Sequence, residues 1–231
     1  MSEKTRKQSD IFLIAVIYYI ALWVVWAGKV LLLEPALEKM FSMNVVALIT
    51  GVIKLVIWVV PAGLLIRKYE SELEVKPEEM FRMKKSDWKT LLIVALIMTA
   101  YVLFGAYSNF KRIAINPDFK PYSLINKFLI VGITEEIVFR GFLFNATLKK
   151  FKNRDIAIAV NALMFLVIHF PIWLKDGAFI SNFTNLGFLT IIFLSVLFSY
   201  YFAEKRTLVI PVALHMLWDL LSSTNALPLS R

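Results

Sequence analysis

Two adjacent carboxylates, Glu135 and Glu136, stand inside an apolar stretch, with Arg140 four residues further on. The only two histidines of the chain, His169 and His215, also lie in apolar stretches, and Asp219 follows His215 by four residues. Of the 17 acidic residues, only Glu135, Glu136 and Asp219 fall within strongly apolar runs. Ionisable groups at lipid depth are costly and persist mainly where they line a functional cavity. Two glutamates, two histidines and an aspartate in such segments read as a buried hydrolytic site.

Spacing divides the roles. Neighbouring residues on a helix diverge by about 100°, so the two glutamates cannot do the same job. Glu136 and Arg140, spaced i, i+4, are expected to form a structural ion pair on one face. Glu135 then points elsewhere and lacks that partner, which frees it to act as general base, general acid or metal ligand. His215 and Asp219 share a face and suit a common ligand or a His–carboxylate pair. His169 closes the run NALMFLVIHF, just before Pro171. Lys54, in the middle of ITGVIKLVIWVV, needs a partner across the bundle; a site carboxylate is one candidate, and structural pairing is expected rather than catalysis. Asn126, Thr134 and Asn161 are expected to hydrogen-bond between helices.

The sequence also removes alternatives. It has no cysteine, so thiol nucleophiles, Cys-bound metals and disulfides are excluded. No His-Glu-x-x-His, Gly-x-Ser-x-Gly, Walker or Rossmann pattern is present, and no motif offers a serine nucleophile. What remains is water activation by a glutamate base with two histidines and an aspartate. A divalent metal, with zinc the natural choice, could be held by Glu135, His169 and His215.

The elements that must position these groups are membrane helices. The chain is 59% hydrophobic with a mean hydropathy of +0.69, far above the soluble norm of roughly 45–50%. Its 231 residues leave room for about seven or eight spans and little else. The expected fold is all-α: a single polytopic transmembrane bundle over 1–231. Candidate spans are 11–33, 44–66, 90–108, 123–146, 155–173, 186–203 and 207–223. The first apolar run lacks a small-residue cleavage site and reads as a retained span rather than a signal peptide. Pro61 should kink the second span, and Pro211 falls in the first turns of the last.

The net charge of +9 is spread over short loops, which fits membrane topology better than nucleic acid. With the N-terminus inside, segments 1–10, 67–89, 147–154 and 204–206 carry sixteen Lys and Arg, against six on the other side. An inside N-terminus and an outside C-terminus follow. The loop 67–89 reads as solvated and partly interfacial, with Phe81 and Trp88 as anchors and no chemistry of its own. No internal repeat is evident, which argues against a transporter built on inverted repeats. The expected location is the cell membrane, of the bacterial plasma-membrane kind, with lipid around the chain.

Three motifs, in order and on separate apolar helices, resemble the CPBP family of CAAX-protease and bacteriocin-processing membrane enzymes, also called the Abi family. Glu135-Glu136-Ile137-Val138-Phe139-Arg140 resembles its Glu-Glu-x-x-x-Arg motif. Phe165 to His169 resembles its Phe-x-x-x-His motif, and His215 to Asp219 its His-x-x-x-Asn/Asp motif. The likeness covers about 120–225. It implies an intramembrane endopeptidase acting on a membrane-associated peptide or protein, with a cavity lined by Glu135, His169, His215 and Asp219. The alternative it implies is a non-catalytic bacteriocin self-immunity or membrane binding protein. Proposals for the family divide between a metalloprotease and a metal-free glutamate protease. In the second, Glu135 and His169 would activate water while His215 and an asparagine donate to the oxyanion. Many members carry Asn where this chain has Asp219, and an ionised carboxylate cannot donate, so the sequence alone tilts toward metal.

Overall fold

The computed structural model describes residues 10–113 and 130–225. The described residues are helical and contain no strand. We number the helices α1 (Ile11–Met40), α2 (Met43–Lys68), α3 (Pro77–Met80), α4 (Lys85–Phe110), α5 (132–151), α6 (Arg154–Val167), α7 (Phe170–Lys175), α8 (Phe179–Thr184), α9 (Gly187–Lys205) and α10 (Val209–Asn225). Five stretches are long and apolar enough to cross a membrane: Ile11–Met40, Met43–Lys68, Lys85–Ser108, Arg154–Lys175 and Gly187–Lys205. Val209–Ser223 is a shorter apolar helix. Six of the seven expected spans coincide with these; the seventh, 123–146, begins outside the described residues and continues as α5.

Local sequence explains the irregular turns. Proline has no N–H for the carbonyl four residues back, and its ring collides with it. In α1 and α2 the helix widens to π-turns at Lys29–Leu33 and Leu55–Val59. Each is centred on the residue four before a proline, Pro35 and Pro61. The kink expected at Pro61 is therefore a widened turn. Pro171 instead breaks the helix between α6 and α7, where the His169 N–H bonds the Leu166 carbonyl three residues back at 3.1 Å. The Val167 carbonyl that its missing N–H would serve instead accepts from Trp23 Nε1 at 3.0 Å. Asp10 and Asn153 cap α1 and α6 by accepting from the first free backbone N–H groups.

The bundle is wrapped around α5. Val138, Phe139, Phe142, Leu143 and Phe144 have no exposed surface. Edge-on ring contacts join α5 to α1 (Tyr18–Phe142, 5.6 Å), α6 (Phe139–Phe165, 4.9 Å) and α9 (Phe144–Phe202, 6.1 Å). A second core of Met98, Leu194, Phe198, Ile210 and Leu214 joins α4, α9 and α10. The outer faces carry exposed apolar residues such as Ile17, Leu48, Leu64, Ile97 and Phe104, the surface lipid would cover.

The described parts of the four segments assigned to one side meet at one end of the bundle. Asp10 pairs with Lys150 at 2.9 Å, Arg154 with Glu204 at 3.4 Å, Lys205 with Asp87 at 3.7 Å and Arg206 with Glu79 at 2.6 Å. At the other end Lys175 pairs with Glu38 at 2.7 Å and Glu34 at 3.5 Å. One expectation needs correcting. The loop 67–89 is not simply solvated: Leu73, Val75 and Met80 are buried, and the Asn145 amide bonds both backbone groups of Val75 at 2.8 Å. Phe81 and Trp88 are exposed.

Candidate active site

Four helices supply the charged residues. α5 carries Glu135, Glu136 and Arg140; α10 carries His215 and Asp219; α2 carries Lys54; His169 caps the start of α7. The approach of α5 to α10 depends on Gly132. A Cβ there would lie 2.8 Å from Met216 Cγ and 3.3 Å from its backbone nitrogen. Met216 follows His215 directly, so the missing side chain sets how closely the histidine meets the glutamates.

The expected pair of Glu136 and Arg140 forms, at 2.9 Å, with both side chains wholly buried. It does more than was expected. Glu136 Oε1 also accepts from His215 Nδ1 at 2.7 Å. Arg140 donates to Ser195 Oγ at 2.9 Å and to its carbonyl at 3.2 Å, and its guanidinium lies between the rings of Phe165 and Phe198. The pair thus ties α5 to α6, α9 and α10, and it aims His215. That ring also stacks on Phe198 at 5.2 Å.

Glu135 departs from the expectation that it has no partner. Lys54 Nζ donates to its Oε1 at 2.7 Å. The reason is long-range: α2 brings its one mid-span lysine opposite α5, a contact that no local spacing encodes. The expectation that Lys54 finds a partner across the bundle holds. Glu135 Oε2 lies 3.9 Å from His215 Nε2, and Asp219 Oδ2 lies 3.7 Å from the same nitrogen. Both are ion-pair distances too long for direct hydrogen bonds. The i, i+4 spacing of His215 and Asp219 therefore yields a charge neighbour.

His169 and Glu135 line one cavity of about 260 Å³, together with Lys54, Lys29, Trp26 and Trp58. His169 Nδ1 donates to the Phe165 carbonyl at 2.6 Å. Both histidines thus turn Nδ1 to partners that can only accept, which assigns the Nδ1 proton and leaves each Nε2 for chemistry. Among the residues expected to bond between helices, Asn161 does so, with Ser199 at 3.0 Å. Thr134 bonds within its own helix, to the Val131 carbonyl, and Asn126 lies outside the described residues.

Zinc finds no ready-made site in this arrangement. Among the described residues, no three His, Asp or Glu side chains are placed to hold one metal ion. The ammonium of Lys54, 2.7 Å from Glu135, would also repel a divalent cation ligated there. The donor set as placed does not fit the group.

A bundle of apolar helices that keeps carboxylates, histidines and their counter-charges inside marks a functional cavity. Comparison narrows the class. Residues 117–221 match the family described as type II CAAX prenyl endopeptidase Rce1-like, a match consistent with the CPBP family of intramembrane proteases. The match holds every motif residue, whereas α1, α2 and α4 lie outside it, and Lys54 with them. Searches among curated proteins and among solved structures returned no match.

Proposed function

We propose that this protein is an intramembrane endopeptidase that hydrolyses a membrane-held peptide or protein with a glutamate-activated water and no metal. The observation that carries the reading is the division of labour on Glu135. Its Oε1 is held by Lys54, while its Oε2 faces His215 Nε2 across 3.9 Å beside a cavity that His169 also lines.

In this reading Glu135 Oε2 takes a proton from water while His169 Nε2 orients that water. The hydroxyl adds to the scissile carbonyl carbon, and the carbonyl oxygen becomes an oxyanion. Collapse re-forms the carbonyl and breaks the C–N bond, and the proton held by Glu135 passes to the departing amine.

The charges suggest what meets the oxyanion. Three carboxylates, Glu135, Glu136 and Asp219, stand against two cations, Lys54 and Arg140. A proton on His215 Nε2 balances the set. His215 then donates through both nitrogens, to Glu136 from Nδ1 and to the oxyanion from Nε2. Asp219 has no need to donate in this scheme, because its charge sustains the imidazolium. The residue that favoured metal in the sequence thus has a metal-free role.

The test uses purified protein in lipid nanodiscs and a peptide library with prenylated, acylated and unmodified members, read by mass spectrometry. Cleavage should survive exhaustive chelation and fall by about 10²-fold or more in Glu135→Gln, as expected for loss of a general base. Cleavage restored only by added metal would overturn the metal-free scheme. Unaltered cleavage by Glu135→Gln would overturn the assignment of the base.

A further inference from the structure

Lys54 lies outside the stretch that matches the protease family, on a helix the sequence motifs do not touch. It is nonetheless the nearest cation to the proposed base. Its ammonium is 2.7 Å from Glu135 Oε1 and is enclosed by two indole faces, 4.6 Å from the centre of Trp58 and 5.4 Å from that of Trp26. Trp26 and Trp58 pack edge-on at 5.0 Å, so α1 and α2 form a fixed cation cradle. Lys54 is only 7% exposed, and the cradle and the carboxylate border the same cavity as His169.

We infer that Lys54 is a positioning residue for hydrolysis: it clamps one oxygen of Glu135, presents the other to water, and carries the charge that lets the carboxylate remain in an apolar cavity. A carboxylate bound only by its backbone can rotate about its side chain. With Oε1 fixed by an ammonium held between two rings, rotation is arrested and Oε2 stays towards His215. The device is supplied by α2 and α1, so part of the catalytic geometry of this chain comes from its N-terminal helices. The inference rests on Glu135 being the base.

The experiment compares Lys54→Gln, Lys54→Arg, Lys54→Ala and Glu135→Gln in nanodiscs, on a peptide the parent cleaves. Gln can donate to Oε1 but has no charge, whereas Arg keeps the charge. We expect kcat to fall about 10–100-fold in Lys54→Gln, the usual cost of losing an orienting partner, with KM little changed. Lys54→Arg should stay clearly above Lys54→Gln. Ethylammonium, which fits the space left in Lys54→Ala, should raise the kcat of that variant and do nothing for Lys54→Ala with Glu135→Gln. A role confined to holding the bundle together would give no amine rescue and would lower yield and melting temperature in step with activity. Equal kcat in Lys54→Gln, Lys54→Arg and the parent overturns the inference if Glu135→Gln is inactive. If Glu135→Gln is itself fully active, the assignment of the base has failed instead. Should Lys54→Ala not fold, the Gln and Arg pair still decides the question.

Discussion

Replacing Glu136 by Gln tests whether this carboxylate is a buried keystone rather than the base. Its Oε1 accepts from Arg140 at 2.9 Å and from His215 at 2.7 Å, and its Oε2 is buried without a hydrogen-bond partner. A glutamine can put its carbonyl where Oε1 stands and keep both contacts. Its NH₂ group then occupies the place of Oε2, buried with nothing to donate to. The reversed rotamer points that NH₂ at two donors. Either way Arg140 is left as an uncompensated charge with no exposed surface. Removing one partner of a buried ion pair costs about 3–5 kcal/mol. For a chain of this length that corresponds to a fall in melting temperature of about 6–20 °C, at roughly 2–4 °C per kcal/mol. The assay is thermal unfolding in detergent micelles followed by tryptophan fluorescence, in parallel with peptide cleavage. Glu136→Gln should lose more stability than Glu135→Gln, because Lys54 would still have two indole faces and a cavity beside it. Its cleavage should fall by no more than about 10–100-fold, since His215 Nδ1 keeps an acceptor. Glu135→Gln should show the reverse balance. A Glu136→Gln protein that melts within about 2 °C of the parent would refute the reasoning, because the cost of a stranded buried arginine cannot be that small.

Three other outcomes follow from particular contacts. Gly132→Ala puts a methyl group 2.8 Å from Met216 Cγ and 3.3 Å from its backbone nitrogen, so α10 must shift; stability should fall by about 1–3 kcal/mol and cleavage with it, read by melting and by peptide assay. Asp219→Asn removes the charge 3.7 Å from His215 Nε2, and cleavage at neutral pH should drop about 10–100-fold without metal rescue; unchanged cleavage would show that Asp219 does not sustain the imidazolium. In the loop, the Arg206 guanidinium holds the Glu79 carboxyl below its ordinary value near 4.5. A depressed folded value stabilises above the unfolded one and is lost as pH falls through it. The stability gap between the parent and Glu79→Gln, up to about 1 kcal/mol because the pair is exposed, should therefore be present at neutral pH and close below pH 4.5.

The parts of this molecule that follow from composition and local spacing were legible in the sequence. Long apolar runs gave the helices, and Lys and Arg counts grouped the loops that meet at one end. The i, i+4 rule gave the Glu136–Arg140 pair, and the rarity of charge at lipid depth picked out Glu135, His169 and His215. What was hidden depends on contacts between distant elements. Nothing near Lys54 says which carboxylate it meets, and Glu136 gives no local sign that it also binds His215. Ser195, which accepts from Arg140 through its hydroxyl and its carbonyl, looks like any small residue in an apolar helix. One signal could have been used: a buried guanidinium has five donors, and Glu136 could not satisfy them alone. Pro35 and Pro61 signalled irregular helices, but only the structure turns that signal into widened turns centred four residues earlier.

In the proposed reading, the two adjacent glutamates divide stability and chemistry within one short motif. Glu136 is wholly buried, spends its one engaged oxygen on two donors, and joins α5 to α10. Glu135, one step around the helix, sits at the wall of a cavity with one oxygen clamped and the other facing a histidine nitrogen. The same 100° divergence that separates their roles also couples them through His215, whose two nitrogens face one glutamate each. A shift of α10 would therefore disturb both at once. In the proposed reading, that coupling depends on Gly132, which lets the two helices approach closely, and Lys54 and a protonated His215 together supply the charge around Glu135. A peptide bond entering the cavity would meet a carboxylate already fixed by one charge and a histidine already aimed by another. Such preorganisation lets charge develop on the oxyanion without reorganising the surroundings, which is the largest contribution a protein of this kind can make to hydrolysis.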